Sequence, residues 1–309
     1  LLSKALKRPV KVIYTREDDF ANDFFRPASQ SRIKAGLDKD GGIVGWLHKV
    51  AAPSVWSRVN PKMVKNGVCP DAVSGIWDMP YTIPNQLVDY VMVNLPIPVG
   101  FWRSVGFSVN VFAVESIMDE LAHTAGKDPV QFRLAHMEKG SRPYNILSFL
   151  AQKGGWDRPV PTGRARGVAV NSCFESFAAH MAEVSVGKNG AVTVHKVVCA
   201  IDCGTAIYPD AVRAQAEGGV AMGLSTAFHE RVRFENGGVK TANYDDYPVL
   251  MMSEVPEIDV HIAKNDLKPG GVGEPVLPSV APAVANAIFK ATGVRLKALP
   301  FQRKLLVRG

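Results

Sequence analysis

Four glycine-rich segments in this sequence carry the residue types that could do chemistry. The first, PVGFWRSVGFS (98–108), places Arg103 among glycines just ahead of a predicted helix. Free backbone N–H groups at a helix start, beside a fixed positive charge, are suited to holding an anion or an oxo group. Taken alone, however, the segment is better explained as an ordinary loop over a buried Trp102.

The second segment, AIDCGTAIYPDAVRAQAEGGVAMG (200–223), combines a glycine turn with a helix that starts at Pro209. Gln215 stands ahead of Gly218 and Gly219, an arrangement that could seat a large phosphate-bearing cofactor. The segment matches neither the GxGxxG fingerprint nor a Walker loop. Close packing of two helices explains the glycines almost as well.

The third and fourth segments adjoin each other. GGVGEPVLP (270–278) holds Glu274 in a rigid loop of glycines and prolines, and SVAPAVANAIFKATG (279–293) predicts a helix that starts beside it. A carboxylate held among apolar residues is suited to accepting a proton near neutral pH. The alternative is a glutamate on a surface loop, which is the commoner role.

Other catalytic and metal motifs are missing from the sequence. Cys199 and Cys203 have a spacing that zinc sites sometimes use, but no second Cys/His pair accompanies them, so core positions are favoured and no metal held by side chains is predicted. HExxH and GxSxG do not occur. Four cysteines are also too few for a disulfide scaffold in 309 residues.

The composition is that of an ordinary globular protein, with 47% hydrophobic and 21% charged residues. The formal net charge is +7, yet no block of five or more Lys or Arg occurs, so a nucleic-acid partner has little support. No apolar stretch approaches the roughly 18 residues that a membrane-spanning helix needs.

The elements that must position these segments alternate hairpins with single helices. In the first half the patterns predict the end of a helix at the start, a strand at 10–15 and a hairpin with its turn at 38–42. They also predict three helices, which begin after Ser108, begin after Asp128 and span 144–153. In the second half they predict a hairpin at 182–201 and another that turns around 236–238. They also predict a helix that begins at Pro209, a strand at 257–263 and a helix that ends at Gly293.

This order predicts an α+β fold, with two lobes of antiparallel sheets and helices packed on one face. The segment WDRPVPTGRARG (156–167) has the Pro, Gly and Arg content of a linker. We therefore expect the lobes to comprise residues 1–160 and 161–309.

Taken together, the segments resemble the molybdenum-binding subunit of the xanthine oxidase family. The branch that looks most similar contains the isoquinoline 1-oxidoreductase β-subunit and the membrane-associated aldehyde dehydrogenases. The matching runs are RPVKVIYTREDDF, FFRPAS, GFWRSVGFSVNVFAVESIMDELAHTAGKDPVQFR, ESFAAHMAEVSV, DCGTAIYPDAVRAQAEGGVAMGLS and GGVGEPVLPSVAPAVANAIFKATGVRLKALPF. The combination of GFWRSVG with GGVGEP is specific, and the resemblance runs over nearly the whole chain.

The resemblance covers only the C-terminal part of the family's large subunit, which is roughly twice as long. It implies a molybdenum cofactor-binding fold whose first molybdopterin-binding lobe (1–160) is incomplete and whose second lobe (161–309) carries the Glu274 loop. The upstream GGGFG-like and GQG-like segments that help to hold the pterin are missing. A second polypeptide, the N-terminal part of the subunit on another chain or removed, is therefore expected to complete the cofactor site.

The activity implied by the resemblance is hydroxylation of an aldehyde or an N-heteroaromatic substrate with water as the oxygen source. The metal is molybdenum, held through a molybdopterin that in bacteria is typically the cytosine dinucleotide. Glu274 matches the family's catalytic glutamate, which acts as the base on Mo–OH. Phe101 and Trp102 match substrate-lining positions, and the positions matching cofactor-binding segments are Arg103, Gly106, Gln215, Gly218, Gly219, Gly271 and Gly273.

The partners implied are a small subunit with [2Fe–2S] clusters and a cytochrome as electron acceptor. The absence here of a four-cysteine cluster set agrees with clusters on another chain. Relatives of this branch favour a periplasmic or membrane-associated location over the cytoplasm. The alternative function is an assembly or binding subunit that keeps the fold without a molybdenum centre; NAD-linked dehydrogenation has no dinucleotide fingerprint to support it.

Overall fold

The computed structural model describes residues 1–307, and its first sheet lies near the N-terminus. Strands β1 (Gln30–Leu37) and β2 (Ile43–Ala52) form the expected antiparallel hairpin. The side chain of Asp38 closes the turn by accepting from the Gly42 N–H at 2.8 Å. Strand β3 (Gln86–Met92) then pairs with β2 in parallel, giving the order β1-β2-β3.

The second sheet has four strands. Strands β4, β5 and β6 form an antiparallel meander, and β9 adds in parallel at the β6 edge. Between β6 and β9 the predicted hairpin at 236–238 is confirmed as the short pair β7 and β8. The bounds are Ala165–Cys173 for β4, Ser176–Val186 for β5, Val192–Asp202 for β6, Phe234–Glu235 for β7, Gly238–Val239 for β8 and Glu257–Ile262 for β9.

The helices begin and end largely where their capping residues predict. Asp128 caps α6 by accepting from the N–H groups of Val130 and Gln131, and Gly293 ends α9 in the left-handed conformation. The bounds are Leu2–Leu6 (α1), Arg16–Asn22 (α2), Trp56–Val59 (α3), Pro70–Val73 (α4), Phe107–Thr124 (α5), Pro129–Ala135 (α6), Arg142–Gly154 (α7), Pro209–Phe228 (α8) and Val280–Thr292 (α9).

Two apolar cores lie on opposite faces of the four-stranded sheet. Helices α8 and α9 cover one face, in a core around Val197 and Ile288. Helices α5, α6 and α7 cover the other face, in a core around Met118 and Met181 that Trp46 of the first sheet joins. Most residues of β4 and β5 are buried and none is exposed, as expected for strands covered on both sides.

The α+β class is confirmed, with two additions. The three-stranded and four-stranded sheets each carry a parallel strand at one edge, and the four-stranded sheet has helices on both faces, because its strands are apolar on both sides. The core around Trp46 and Met181 draws on residues before and after 160, so the two halves pack together there. The division at 160/161 stays a prediction.

The predicted strand at 10–15 is wrong. These residues have no regular structure and are exposed, and Thr15 instead caps α2 through a capping box with Asp18. A β-branched run favours an extended backbone, but a strand also needs a neighbour to pair with. Within residues 1–307, no helix combines the length and the apolar character needed to cross a lipid bilayer.

Candidate functional site

Two loops and a helix that are distant in sequence meet at the Arg103 side chain. Its Nε donates to the Gly273 carbonyl oxygen at 2.5 Å, across 170 positions of sequence. Its Nη2 donates to the backbone oxygen and to Oε1 of Gln215, each at 3.1 Å, across 112 positions. These bonds join the loop before α5, the first half of α8 and the loop before α9. Three residues predicted to bind the cofactor are thus held together.

The residue after Arg103 orients Glu274. The Ser104 Oγ donates to the Glu274 carbonyl oxygen at 2.7 Å, and the Ser104 N–H donates to Oε1 of the same residue at 3.3 Å. Ser104 is fully buried, and both it and Val105 have left-handed backbone, with φ of 70° and 39°. Such backbone persists only where surrounding contacts hold it. Sequence reasoning missed Ser104 because a loop serine carries no spacing signal.

A second acid, Asp71 at the start of α4, lies near Glu274. Burial raises the pKa of Asp71, the nearby Trp56 indole N–H lowers it, and the charge of Glu274 raises it again. Oδ2 of Asp71 is buried and has no hydrogen-bond partner among residues 1–307. Burial above all, with a smaller contribution from the charge of Glu274, therefore makes Asp71 take up a proton more readily than a solvated aspartate. No motif in the sequence marked this residue.

The charge on Arg103 is not neutralised by a contact ion pair. Within the described chain no carboxylate oxygen lies within 4.0 Å of its guanidinium, which is hydrogen-bonded to carbonyl and amide oxygens. Burial lowers the pKa of Arg103, and the charge of Glu274 opposes that shift. Burial, followed by the charge of Glu274, also raises the pKa of the Cys173 thiol. The junction is therefore a place where positive charge can act on a bound anion.

A neutral network supports the Glu274 loop from below. Asn171 Nδ2 donates to the Pro275 carbonyl oxygen at 3.1 Å, and the Ser279 hydroxyl donates to Asn171 Oδ1 at 2.6 Å. That hydroxyl lies 2.8 Å from Nδ1 of His180. The Ser279 hydroxyl donates its only proton to Asn171, so it must accept from Nδ1 of His180. His180 is therefore in the tautomer that carries its proton on Nδ1. Burial lowers the pKa of His180 to about 3, so the ring is neutral at pH 7.

Three of the predicted glycines allow the loops to approach closely. A Cβ added at Gly106 would lie 1.6 Å from the Asp71 carbonyl oxygen, and one at Gly219 would lie 3.1 Å from the Val276 Cβ. A Cβ at Gly271 would lie 3.1 Å from that of Phe174. These glycines are therefore explained by packing around the Arg103 junction.

The other two predicted glycines border open space. A Cβ added at Gly218 or at Gly273 would meet no atom within 4 Å. Gly218 lies on the exposed side of α8 together with the Gln215 side chain. The surface beside the Arg103 junction therefore has room for a flat group to lie against backbone.

A cleft opens on the other side of the Arg103 loop. It encloses about 480 Å³, counting its mouth, and is mostly apolar. Phe101 and Trp102, the predicted substrate-lining residues, form part of its wall, and Asp71 lies in the same wall. The cleft and Glu274 are therefore reached from the same loop, 100–106. The roles given to all these residues stay predictions.

Two family models match the chain. Each describes a molybdopterin cofactor-binding domain, the first over residues 1–137 and the second over residues 120–256. The isoquinoline 1-oxidoreductase subunit beta of Brevundimonas diminuta is 35% identical over 308 residues, which is 98% of this chain and 39% of that protein. The chain belongs to the molybdenum-binding subunits of the xanthine oxidase family.

Two further proteins are similar over nearly the whole chain. The membrane-bound aldehyde dehydrogenase of Gluconacetobacter polyoxogenes is 32% identical over 338 residues, covering 100% of this chain and 44% of that protein. The chain thus spans less than half the length of both curated relatives. Quinoline 2-oxidoreductase from Pseudomonas putida 86 shares the fold, with a TM-score of 0.82 and 14% identity over 94% of this chain and 63% of that one.

Molybdopterin, the cofactor of this family, fits the residues at the junction. The open backbone surface at Gly218 and Gly273 can lie against a flat ring, and the exposed Gln215 amide can hydrogen-bond to a ring edge. Arg103 offers a charge to an anionic group. Within residues 1–307 no group of three or more His, Cys, Asp or Glu side chains is arranged to hold a metal ion.

The interpretation of Cys199 and Cys203 as core residues is confirmed. Both thiols are free and fully buried, in the core between the four-stranded sheet and α8 and α9. Burial also raises the pKa of both thiols, so neither readily forms the thiolate that a metal site requires.

Proposed function

We propose that this chain forms part of the large subunit of a molybdenum hydroxylase that oxidises an aldehyde or an N-heteroaromatic substrate, with water as the oxygen source. The observation that carries the proposal is the Glu274 carboxylate, held by Ser104 beside the Arg103 junction and within the same loop system as an apolar cleft. The relatives named above act, by their names, on isoquinoline and on aldehydes.

Glu274 is the proposed base. Its side chain accepts one backbone N–H at 3.3 Å and makes no ion pair within 4.0 Å in the described chain, so oxygen lone pairs are free to take a proton. The carboxylate is half-buried, and its main chain is fixed by the short bond from Ser104. Molybdenum supplies, when bound, the two-electron oxidation and the place where water is activated. The task of this chain is to hold the base in position and to accept the proton there.

Arg103 and Gln215 are the proposed cofactor-holding side chains. Arg103 fixes the backbone of Gly273 and the amide of Gln215 at one point, so a group bound there contacts all three glycine-rich loops. Gly218 and Gly273 leave the space open, while Gly106, Gly219 and Gly271 let the loops close up around it. The cofactor is proposed to be the cytosine dinucleotide form of molybdopterin.

Phe101 and Trp102 are proposed to contact the substrate. Both line the cleft beside the Arg103 loop, and Phe101 packs edge-on against Trp56 with ring centroids 5.1 Å apart. Aromatic walls suit flat aldehydes and N-heteroaromatic rings, which stack or pack edge-to-face on them.

Several further parts of the complex are proposed with this function. The remaining length of the large subunit completes the cofactor site, since the curated relatives are more than twice as long as the matched region. A small subunit carries [2Fe–2S] clusters, and a cytochrome accepts the electrons. A periplasmic or membrane-associated location is proposed from the name of the membrane-bound relative.

The experiment that tests the base is Glu274→Gln in the purified complex. Glutamine keeps the size of the side chain but cannot accept the proton, so turnover of an aldehyde and N-heterocycle panel is expected to fall by about 10²-fold or more. Molybdenum per complex, measured by elemental analysis, should stay at the wild-type value. Normal turnover by this variant contradicts the assignment of Glu274.

Glu175→Gln is the matched control. Glu175 lies exposed in the turn before β5, and its backbone lies beside the 270–271 segment, so the substitution repeats the chemistry near the site without touching the junction. Its turnover should equal that of the wild type. A stable wild-type complex without molybdenum would instead support the non-catalytic assembly subunit.

A further inference from the structure

The cleft beside Phe101 and Trp102 contains an arginine with no acid partner. We propose that Arg26 is an anion-binding residue there, and that the substrate class is a planar aromatic carrying a carboxylate. The word substrate rests on the proposed function; the binding of an aromatic carboxylate does not. The proposal depends on how Arg26 is held, on its unpaired donor and on the lining of the cleft.

Main-chain pairing places Arg26 at the wall of the cleft. Phe25 and Val99 form a parallel bridge: the Phe25 N–H donates to the Pro98 carbonyl oxygen at 2.9 Å, and the Gly100 N–H donates to the Phe25 carbonyl oxygen at 3.0 Å. The segment before β1 is thereby fixed to the loop that carries Phe101, Trp102 and Arg103. Arg26 is the next residue after the bridge, so it is positioned by backbone.

The guanidinium is held on one face and at one nitrogen. Its carbon lies 4.0 Å from the centroid of the Trp102 ring. Its Nη2 donates to the Ser108 hydroxyl at 3.0 Å and to the Ser108 carbonyl oxygen at 3.3 Å. Nε, in contrast, is buried and has no acceptor within residues 1–307. Buried donors without partners are rare in folded proteins, so Nε is expected to bind an acceptor from outside these residues, and in this proposal the acceptor is the ligand carboxylate.

No carboxylate neutralises Arg26 by contact. Within the described chain no Asp or Glu oxygen lies within 4.0 Å of its guanidinium, and the acidic groups that act on it at longer range are Glu230 and Tyr247. Burial lowers the pKa of Arg26 to about 10, so the side chain still carries its charge at pH 7. Arg26 is half-buried, with its Nε fully enclosed, so its charge is partly removed from water without a paired anion, and an anionic ligand reduces that cost.

The rest of the cleft selects the ligand's shape. Val55, Val105 and Val109 line it together with the two aromatic residues, so its middle is apolar. The other charged lining residue is Asp71, next to Glu274. A ring is therefore proposed to lie along the apolar wall with its carboxylate at Arg26, because the charge of Asp71 would repel that carboxylate. Arginine suits this task because its planar N–H donors match carboxylate geometry.

The test compares benzoate with benzamide, its uncharged isostere, and with inorganic phosphate. Binding to the purified complex is measured by calorimetry and by Trp fluorescence, without an oxidisable substrate. Loss of a charge-assisted hydrogen bond corresponds to about tenfold or more in affinity, so benzoate is expected to bind at least about tenfold tighter than benzamide. Equal binding of the two overturns the proposal. Phosphate binding as tightly as benzoate also overturns it, because the ring then contributes nothing.

The variants locate the effect. Arg26→Gln should abolish the preference for benzoate, and Arg26→Lys should keep part of it because the charge remains. Ser108→Ala removes the Nη2 contact but not the charge, and should keep the preference. If Arg26→Gln does not fold, the proposal is still tested by the wild-type protein and by Arg26→Lys. A lysine variant that keeps the full preference for benzoate over benzamide shows that Nε is not the ligand donor and contradicts the proposal.

These outcomes are separable from the proposed function. Benzoate binding is an equilibrium measurement, so it can survive in Glu274→Gln even when turnover is lost. Conversely, absence of a benzoate preference leaves the Glu274 experiment unaffected. In turnover, a carboxylated aromatic aldehyde should lose kcat/KM through KM rather than kcat in Arg26→Gln, because the residue binds the carboxylate and does not touch the reacting carbon.

Discussion

Two arginines hold this chain together at different places, and their environments are opposite. Arg133 in α6 is fully buried: its Nε lies 2.9 Å from Oε2 of Glu115 and its Nη2 donates to the Glu115 carbonyl oxygen at 2.9 Å. Arg103 is half-buried and bonds only to carbonyl and amide oxygens. One arginine has its charge matched by a carboxylate, and the other does not.

Glu115, the acid that contacts Arg133, already accepts several hydrogen bonds. Glu115 also accepts the Tyr81 hydroxyl at 2.5 Å and the Val170 N–H at 3.1 Å. Burial lowers the pKa of Arg133, but the charge of Glu115 and the nearby Tyr81 outweigh burial and raise it. This junction ties α5, α6 and β4 together and leaves nothing for a ligand.

Structural and functional arginines in this fold differ in whether a carboxylate contacts the guanidinium. A compensated charge fixes helices against a sheet, whereas an uncompensated charge at a loop junction, beside open backbone, is available to a bound anion. Arg26 belongs with Arg103 in this respect. The two junctions can be disrupted independently, because they share no residue.

The largest expected effect is at the compensated junction. Glu115→Ala leaves Arg133 buried without its partner and should lower the free energy of unfolding by about 3–5 kcal/mol. Urea unfolding of the purified protein measures this. Asp89→Ala is the control, because it breaks the exposed pair with Lys49 and should cost at most about 1 kcal/mol. Similar losses in the two variants would show that Arg133 is compensated by other groups.

The next effect is at the uncompensated junction. An alanine Cβ at Gly106 would lie 1.6 Å from the Asp71 carbonyl oxygen, so Gly106→Ala should cost about 1–3 kcal/mol and displace the turn that orients Glu274. Gly218→Ala is the matched control: it meets no atom and removes a helical glycine, so it should gain up to about 1 kcal/mol. Thermal melting measures both.

The Gly218→Ala variant also tests the proposed cofactor surface. If the cofactor lies against Gly218, the stabilised Gly218→Ala variant should still lose molybdenum, as measured by metal content per complex. A stable variant with full molybdenum content would place the cofactor elsewhere.

The smallest effect is a pH dependence of the network beneath the Glu274 loop. Because burial lowers the pKa of His180 to about 3, against 6.5 in the unfolded chain, the unfolded state binds the proton first as pH falls. Stability is fully present above pH 6.5 and should fall by at most about 1.4 kcal/mol per pH unit towards pH 3. Denaturant unfolding between pH 7 and 4 measures this slope. A His180→Gln variant with an unchanged slope would assign the titration to other groups.

Much of the helical structure could be predicted because its signals are local. Asp128 before Pro129, the proline at 209 and the glycine at 293 each fix a helix end by capping or by backbone conformation, and the structure confirms them. The strand at 10–15 failed for the opposite reason, since pairing is not a local property.

The site residues likewise fall into those that local sequence marks and those that it does not. Glu274, Arg103 and Gln215 could be singled out because glycines around them form recognisable segments. Asp71 lies outside every segment that was singled out, and Ser104 lies within GFWRSVG without any feature that marks it there. Both matter through Glu274, which is more than 100 positions away in sequence. Arg26 stood in a matched run, but its missing partner is visible only in three dimensions.

The α+β class, several helix ends, the family and the glycine-rich segments could be inferred from the amino-acid sequence, because caps, periodicity and motifs act over a few residues. Three features appear only in the folded chain: Arg103 joins three of those segments at one point, both faces of the four-stranded sheet are covered, and Arg103 and Arg26 have no contacting carboxylate among residues 1–307. The physical reason is that charge compensation and close packing depend on neighbours in space, and the chain brings those neighbours together only on folding.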